Sequence, residues 1–152
     1  MDKLVFHDNE VISLDAKYSI KSGVEACVRE KVWLKSGGSI IIQPTEALTV
    51  IDVNTEKAIK GKCSIQELFY KVNMEAAEEI AYQLRLRNIT GIIMIDFIDM
   101  DDMNHRKSLM QALDDFVKPD PVKTTVVDMT ALNLVEMTRK KTRKPVLEQI
   151  KD

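Results

Sequence analysis

Three polar side chains, Asp52, Asn54 and Asp96, stand at the ends of two apolar runs and could perform chemistry together. Asp52 and Asn54 close the run that begins at Thr49, and Asp96 closes the run that begins at Gly91. Mg²⁺ binds proteins through one or two carboxylates together with the phosphates of a substrate. An ion held in this way activates a water molecule and neutralises charge on a phosphoryl group. The residue types and their spacing therefore favour metal-assisted phosphoryl chemistry.

The sequence around these residues predicts elements that would bring them together. Both runs are rich in Ile and Val, which favours strands. The apolar residues between the runs repeat at helical spacing over about residues 65–87, and Ser64 and Glu67 form the pattern of a capping box at the start of that helix. A strand, a helix and a second strand make the crossover unit of a parallel pair. Asp52 and Asp96 are therefore expected side by side, with their carboxylates about 3–6 Å apart.

The rest of the chain predicts two further helices and more strands. An early helix is expected over about residues 20–30. The Gly pair at 37–38 separates a short strand at 32–34 from a hairpin whose second strand carries Asp52. A second long helical pattern ends at the Pro-Asp-Pro break at 119–121, and strands are predicted over 123–129 and 134–138. The predicted fold class is α/β, a mixed sheet with helices packed on it and a parallel strand–helix–strand unit inside it.

Paired aspartates at strand ends are not specific to one reaction, since phosphatases, nucleotide-binding domains and response-regulator receivers also have them. Other polar or aromatic side chains receive structural interpretations. Trp33 is expected in the core rather than as a platform for a base, and His7 and His105 are expected on the surface. Asp101 and Asp102 are expected to act as acidic residues at the start of the second long helix.

Composition narrows the classes of function. The 152 residues, 45% apolar and 30% charged, suit one domain with its own core. No apolar run reaches the roughly 20 residues of a membrane span, and none resembles a signal peptide. Cys27 and Cys63 lack the spacing of a disulfide framework or a zinc site, which favours a reducing cytoplasm. Neither a Gly-rich phosphate loop nor a Ser-His-Asp arrangement is indicated.

A net charge of −2 hides a basic C-terminal stretch. Residues 137–152 contain six Lys or Arg and two acids, which gives +4 and leaves −6 on the remainder. A basic tail on an acidic body suits contact with a polyanion, although such tails are often simply solvated. The side chains that could make this contact are Arg139, Lys140, Lys141, Arg143 and Lys144.

Several motifs resemble the catalytic core of the ribonuclease E/G family over about residues 31–145. They are the Gly pair at 37–38, Thr45 to Asn54, Asn73 to Ala77, Gln83 to Arg87 and Gly91 to Met100. The resemblance implies the deoxyribonuclease I-like subdomain of that family. It also implies Mg²⁺-dependent endonucleolytic cleavage of single-stranded RNA, in RNA processing and decay.

The resemblance assigns roles to individual residues. Asp52 and Asp96 would hold Mg²⁺, and Asn54 would orient the site. Asp99 would lie next to the ligand residues without binding the ion itself. The basic residues 139–144 become candidate RNA contacts. The family often has Ser-Arg-Phe-Gly where this chain has Thr-Ala-Leu-Asn at 130–133, which leaves the family's Arg without a counterpart here.

Intact members of the family carry parts that are not matched here. These are an upstream oligonucleotide-binding barrel, a sensor of the RNA 5′ monophosphate, most of a ribonuclease H-like subdomain, and a downstream Cys pair that shares zinc between subunits. Residues 1–30 are therefore expected to be a remnant of the ribonuclease H-like region, 31–145 the catalytic core and 146–152 a tail. The parent protein is expected to be a homo-oligomer, and this chain a monomer or weak dimer that cleaves RNA poorly by itself. The alternative is an RNA-binding or assembly module without activity of its own.

Overall fold

The computed structural model describes residues 4, 6–8, 11–58 and 61–151 and contains one six-stranded sheet with five helices in those ranges. The strands are β1 (Lys31–Trp33), β2 (Ser39–Pro44), β3 (Thr49–Asn54), β4 (Gly91–Asp96), β5 (Thr124–Met129) and β6 (Leu134–Arg139). The helices are α1 (Leu14–Tyr18), α2 (Ile20–Cys27), α3 (Ile65–Leu86), α4 (Met103–Val117) and α5 (Val146–Lys151).

Strand order across the sheet is β1-β2-β3-β4-β6-β5. The neighbours β3 and β4 are parallel and are joined by α3, whereas every other neighbouring pair is antiparallel. Helix α4 connects β4 to the β5–β6 hairpin, which adds to the sheet on the far side of β4. The predicted α/β class, the β2–β3 hairpin and the parallel strand–helix–strand unit are confirmed.

Helix α3 forms where its sequence supplies both a start signal and an apolar stripe. Ser64 Oγ accepts the backbone N–H of Glu67 at 3.1 Å, and the Glu67 carboxylate accepts the N–H of Ser64 at 2.6 Å. These two bonds satisfy N–H groups that the first helical turn leaves without partners. The stripe on its sheet side is buried and comprises Leu68, Val72, Ala76, Ala77, Ile80 and Leu84. The helix predicted over 65–87 is thus confirmed to within one residue.

The two faces of the sheet differ in burial because strand side chains alternate. Thr49, Ile51 and Val53 of β3 are buried in the core with α3 and α4, and the alternate residues of β4 and β6 join them. Asp52 and Asn54 point to the opposite side and are only half-buried. We call this opposite side of the sheet the open face. The core therefore occupies one side, and the candidate chemistry lies on the other.

Helix α4 begins at Asp102, whose carboxylate accepts the backbone N–H of Asn104 at 2.7 Å. The predicted helix-terminal role of Asp102 is confirmed. Asp101 instead exchanges two hydrogen bonds with Gln66 of α3, at 3.0 and 3.2 Å. Asp101 directly precedes the N-cap of α4, and its hydrogen bonds hold the loop before α4 against the start of α3.

Two further predictions about side-chain burial are corrected. Trp33 is not in the core, since it lies on edge strand β1 and is 54% exposed. His105 is not a freely exposed surface residue, because its ring stacks on Tyr70 with centroids 4.3 Å apart. His7 is half-buried and its Nε2 lies 2.6 Å from the carbonyl oxygen of Ile12. The outcomes for Trp33 and His105 depend on a sheet edge and on a neighbour that is remote in sequence, which local patterns do not report.

The terminal segments contain short helices. The helix expected over 20–30 is present as α2 and is preceded by the five-residue α1. The segment predicted to be a tail contains α5, which is attached through the N–H of Val146 to the carbonyl of Arg87 at 2.9 Å. Within the part of the chain that the structure describes, no helix is both long and apolar enough to cross a membrane.

Candidate functional site

Asp52 and Asp96 are direct partners in the pairing of the parallel strands β3 and β4. Adjacent strands lie about 4.8 Å apart, so the two Cα atoms are neighbours across one ladder step. Asp52 shares the open face with Asn54, because they are two positions apart on one strand. The side-by-side placement predicted from the sequence is confirmed. A carboxylate separation of about 3–6 Å stays a prediction.

Asn54 fixes the orientation of Asp52. Its Nδ2 donates a hydrogen bond of 2.7 Å to Asp52 Oδ2. A hydrogen-bonded carboxylate loses less freedom when it binds a cation, so this contact would favour binding of a cation by Asp52.

The charges around Asp96 oppose its ionisation. Loss of solvent raises the pKa of the Asp96 carboxyl, and the negative charges of Asp52 and Asp99 raise that pKa further. Two carboxylates in one place repel each other in the absence of a counter-ion. A bound cation would relieve this repulsion, which is the electrostatic property expected of a metal site.

The donor set suits a magnesium ion that is completed by substrate. In the described ranges, no group of three or more His, Cys, Asp or Glu side chains converges to hold a metal. Mg²⁺ needs fewer protein ligands, because it keeps several waters and is usually bound by one or two carboxylates plus substrate phosphates. Asp52 and Asp96 supply two hard oxygen ligands on a face that substrate can reach. The residues present therefore fit this ion.

The loop that follows Asp96 is held in place by a buried side chain of α3. Asn73 is fully buried, and its amide donates to the carbonyl of Ile98 at 2.8 Å and accepts the Ile98 N–H at 3.0 Å. These two bonds satisfy the backbone of a loop that has no strand partner of its own. Sequence analysis assigned Asn73 no role. The signal that could have identified it is an amide in the otherwise apolar stripe between Val72 and Ala76.

Asp99 belongs to a second network that holds the same loop from the side of the β5–β6 turn. Asn133 Nδ2 donates to Asp99 Oδ1 at 3.0 Å, and Arg106 Nη1 donates to Asn133 Oδ1 at 3.1 Å. Arg106 Nε also donates to the carbonyl of Met100 at 2.6 Å. Asp99 thus contacts Asn133, and its supporting role at the site stays a prediction.

Arg139 is not available to a polyanion. It is 4% exposed, and its guanidinium donates to both carboxylate oxygens of Asp120, at 2.7 and 3.2 Å. Its Nη1 donates to Asn88 Oδ1 at 2.9 Å and to the carbonyl of Ile89 at 3.1 Å. The expectation that Arg139 contacts RNA is therefore wrong. Alternation in β6 turns this side chain toward the core, where it joins three segments.

Lys140, Lys141, Arg143 and Lys144 are exposed, as a polyanion contact requires. They are not on a frayed tail, because Asn88 Nδ2 contacts the carbonyl oxygens of Arg143 and Lys144 at 3.1 and 3.2 Å. We call residues 140–144 the basic segment.

The basic segment lies at the far end of the sheet from Asp96. In the antiparallel pair β4–β6, Arg139 is opposite Gly91, whereas Asp96 is opposite Leu134. The basic segment starts directly after Arg139, so about 17 Å of strand separates its start from the level of Asp96. The structure therefore does not bring the basic residues and the Asp pair together.

A sequence model described as the Ribonuclease E/G family matches residues 1–142. The chain belongs to the ribonuclease E/G family. Ribonuclease G of Haemophilus influenzae is 44% identical over 142 residues, which are 93% of this chain and 28% of that protein. Ribonuclease G of Escherichia coli strain K12 is 44% identical over 85% of this chain and 26% of that protein. Ribonuclease E of the same strain is 42% identical over 86% of this chain and 12% of that protein. The chain thus spans about a quarter or less of the length of these relatives.

One departure from the ribonuclease E/G pattern has a structural explanation. Asn133 stands where the family motif often ends in Gly, and its φ of 62° is in the left-handed region. Asn adopts this conformation more readily than most other residues that carry a side chain. The substitution also adds the amide that connects Arg106 to Asp99. In this chain the turn therefore has a residue that tolerates the left-handed backbone and also contacts the loop after β4.

Proposed function

We propose that this chain is the catalytic core of a Mg²⁺-dependent endoribonuclease that cleaves single-stranded RNA. The observation that carries the proposal is the pairing of Asp52 with Asp96 on the open face, with Asn54 bonded to Asp52. Membership of the ribonuclease E/G family supports the reaction class, and relatives of this chain are named ribonuclease G and ribonuclease E.

Each residue of the site has a distinct task in this reaction. Asp52 and Asp96 would hold Mg²⁺, and Asn54 keeps the Asp52 carboxylate in one orientation. When bound, Mg²⁺ supplies a Lewis acid that lowers the pKa of water and stabilises negative charge on a phosphoryl group. Asn73 fixes the loop after β4, so that Asp96 keeps its position beside Asp52. Attack of water on phosphorus, with the 3′-oxygen as the leaving group, breaks the P–O3′ bond and gives products with a 5′-phosphate and a 3′-hydroxyl.

We propose a cytoplasmic setting for this chain. Neither Cys27 nor Cys63 forms a disulfide, which suits the reducing cytoplasm. We also propose that this chain is a monomer or a weak dimer. The intact parent would be a homo-oligomer.

A different class of function, an RNA-binding or assembly module, is favoured by one observation. The chain spans at most 28% of the relatives that it matches. Affinity for RNA comes mostly from neutralised phosphates and stacked bases, and other parts of a longer protein could supply both. A third reading, hydrolysis of a small phosphate ester, has less support. The groove of about 680 Å³ between α4 and the β5–β6 hairpin is lined by neither Asp52 nor Asp96.

The test is cleavage of a labelled single-stranded RNA with and without Mg²⁺, followed on a denaturing gel. We expect slow Mg²⁺-dependent cleavage that Asp52→Asn and Asp96→Asn abolish. Asp115→Asn is the matched control, because it removes an exposed carboxylate on α4 whose ion pair with Lys118 is worth little. A substrate with 2′-deoxyribose at the cleavage site should still be cut, since water and not the 2′-hydroxyl attacks.

Two results would contradict the proposed function. RNA binding without Mg²⁺-dependent cleavage, by a chain that melts cooperatively, would favour the binding-module alternative. Equal cleavage by the wild type and Asp96→Asn would show that the activity does not arise at the Asp pair.

A further inference from the structure

Trp33 is an exposed aromatic side chain that the core does not use. It lies on edge strand β1 and more than half of its surface, 54%, faces solvent. Lys31 Nζ lies 4.4 Å from the centroid of its indole ring, and the same ammonium forms an ion pair of 2.7 Å with Glu56. Glu56 also accepts the hydroxyl of Ser39 at 3.3 Å. The ring is therefore held against the sheet by a cation that is itself fixed.

The register of the sheet places Trp33 on the same face and at the same end as the Asp pair. Trp33 is directly opposite Ser39, and Ser39 is directly opposite Asn54. Residues that are directly opposite each other in antiparallel strands have side chains on the same face. Trp33 thus shares the open face with Asn54, which contacts Asp52.

The distance between these positions suits one bound strand of RNA. The Cα atoms of Trp33 and Asn54 are two strand spacings, or about 10 Å, apart. This separation corresponds to about three nucleotides at a stacked rise of about 3.4 Å, and to fewer in an extended strand. One single strand could therefore contact Trp33 with a base while its backbone crosses the Asp pair.

The distribution of charge on the open face favours an RNA strand that reaches the Asp pair from the side of β1. Beyond Asp96, the open face carries Glu136 of β6 opposite Asp128 of β5. These carboxylates repel phosphates. On the β1 side the charge of Glu56 is offset by Lys31. A strand that crosses the Asp pair therefore meets less repulsion in the direction of Trp33.

We propose that Trp33 is a stacking platform for a base of the RNA, within about three nucleotides of the phosphate at the Asp pair. The inference rests on the proposed function for the identity of the ligand. Stacking is insensitive to base identity because every base has a π-face. Trp33 would therefore position the strand without selecting a sequence, and Lys31 would keep the ring in place.

The chain contains a single Trp, so its intrinsic fluorescence reports on this residue alone. The experiment titrates the protein with a short oligouridylate and with an abasic ribose-phosphate strand of equal length, in EDTA to prevent cleavage. We expect the oligouridylate to quench the emission and the abasic strand to leave it nearly unchanged, because only a base can stack on the ring.

Variants test whether this contact contributes to affinity, measured by anisotropy of a labelled oligouridylate. Trp33→Ala should weaken binding about tenfold, as expected for loss of one stacked base. Trp33→Phe should restore most of the affinity, because it keeps an aromatic face. Tyr82→Ala is the matched control, since Tyr82 is similarly exposed, at 49%, but lies on α3 on the other side of the sheet. Circular dichroism should show that all three variants fold.

Several outcomes would overturn the platform. Equal quenching by the abasic strand, or no quenching by either strand, would show that no base stacks on Trp33. Wild-type affinity in Trp33→Ala would show that the ring contributes nothing to binding. A blue shift of the emission with rising protein concentration, without RNA, would assign Trp33 to an interface between two copies of the chain.

These outcomes separate the platform from the proposed function. Cleavage that is lost in Asp96→Asn but unchanged in Trp33→Ala, across substrate concentrations, would contradict the platform alone. Base-dependent quenching by a protein that never cleaves RNA in Mg²⁺ would contradict the proposed function and leave the platform standing.

Discussion

The carboxylate of Asp96 lies among other acids, with Asp52 across the strand pair and Asp99 in the loop that follows. Such repulsion lowers the stability of the folded state. The neighbouring Asn54 donates a hydrogen bond of 2.7 Å to Asp52. At the scale of single residues, the site therefore has more negative charge than its folded state favours, as a cation site should.

This excess charge predicts that Asp96→Asn stabilises the protein at neutral pH. Burial, Asp52 and Asp99 raise the folded pKa of Asp96 above its unfolded value, so its ionisation opposes folding. The loss of folding stability caused by this ionisation is absent below the ordinary aspartate pKa of about 3.9. It grows as the pH rises through that value and reaches its full size above the raised folded pKa. Thermal melting across pH should therefore show a higher Tm for Asp96→Asn at pH 7 and no gain in acid.

The controls for this prediction use a second aspartate and the metal. Asp115→Asn should not raise the Tm at pH 7, because hydrogen bonds from Lys118 and Gln111 lower the pKa of Asp115. Addition of Mg²⁺ should raise the Tm of the wild type and reduce the difference in Tm between the wild type and Asp96→Asn. A lower Tm for Asp96→Asn at pH 7 would mean that the carboxylate supports the fold and is not a strained ligand.

At the scale of elements, the site depends on how α3 and the β5–β6 hairpin support one irregular loop. Strands β3 and β4 set the positions of the two aspartates, but residues 97–102 have no strand partner. Asn73 of α3 holds this loop from one side, and Asn133 of the β5–β6 turn holds it from the other. Elements far apart in sequence thus share the support of one loop.

Loss of the Asn73 amide should damage both stability and the site. Asn73→Leu leaves the N–H and carbonyl of Ile98 buried without their partners, which costs about 1–3 kcal/mol for such a group. We expect urea denaturation to show a decrease of this size in the free energy of unfolding. Mg²⁺-dependent cleavage should decrease by a larger factor than the fraction of folded protein does. Asn104→Leu, an exposed position on α4, is the matched control. Wild-type stability for Asn73→Leu would contradict the role of these two bonds.

A second prediction at this scale concerns the buried ion pair between β6 and the loop after α4. Both side chains of Arg139 and Asp120 are 3% exposed. Burial alone would raise the pKa of Asp120, but hydrogen bonds from Arg139 and from the N–H of Val122 outweigh it and hold the pKa below its usual value. Asp120→Asn should therefore cost about 3–5 kcal/mol at pH 7, because it leaves a buried guanidinium without its counter-charge.

The pH dependence of this loss gives a check on its cause. The folded pKa of Asp120 is lowered, so its stabilisation is fully present above the unfolded pKa and disappears as the pH falls through the folded value. Urea titrations should show a large difference in the free energy of unfolding between the wild type and Asp120→Asn at pH 7. This difference should become smaller in acid. A difference of equal size at both pH values would assign the loss to packing instead of charge.

At the scale of the whole molecule, the candidate catalytic residues and the exposed cations lie at opposite ends of the sheet. The basic segment follows the end of β6 that pairs with Gly91, and the Asp pair lies where β6 begins. A strand of RNA that contacts both must therefore extend along the strands by about 17 Å. The acidic body of the protein offers phosphates little attraction elsewhere, so binding should be weak and sensitive to salt.

Removal of one exposed cation should weaken RNA binding uniformly across sequences. Lys141→Gln should lower the slope of log affinity against log salt by about 0.7, the value for one phosphate contact of a single strand. We expect a dissociation constant of about 10⁻⁴ to 10⁻⁶ M for the wild type at physiological salt. Lys107→Gln on α4 is the matched control, since Lys107 is exposed on the helix side of the sheet. Equal salt slopes for the wild type and Lys141→Gln would remove the basic segment from the RNA path.

Local sequence patterns were sufficient to predict the elements that carry the site and the pairing of its two aspartates. The capping box at Ser64, the apolar stripe of α3 and the alternation in β3 are local patterns, and each one implies its structure through hydrogen bonds or side-chain direction. These patterns predicted Asp52 beside Asp96, because strands joined by a helix run parallel and end at the same edge of the sheet, and the register confirms that the two residues pair. They were also enough to put Asn54 on the same face as Asp52.

Which polar and aromatic side chains are available to a ligand depends on the packing of the whole fold and could not be predicted from local patterns. Arg139 appears in a run of cations, but its place in β6 turns it into the core toward Asp120. Trp33 appears in an apolar triplet, but its strand is the sheet edge, and nothing in the described residues buries the ring. Asn73 appears within a helix face, but the loop after β4 gives it two backbone partners. Burial and hydrogen bonding depend on neighbours brought from distant parts of the chain, and local sequence patterns do not contain that information.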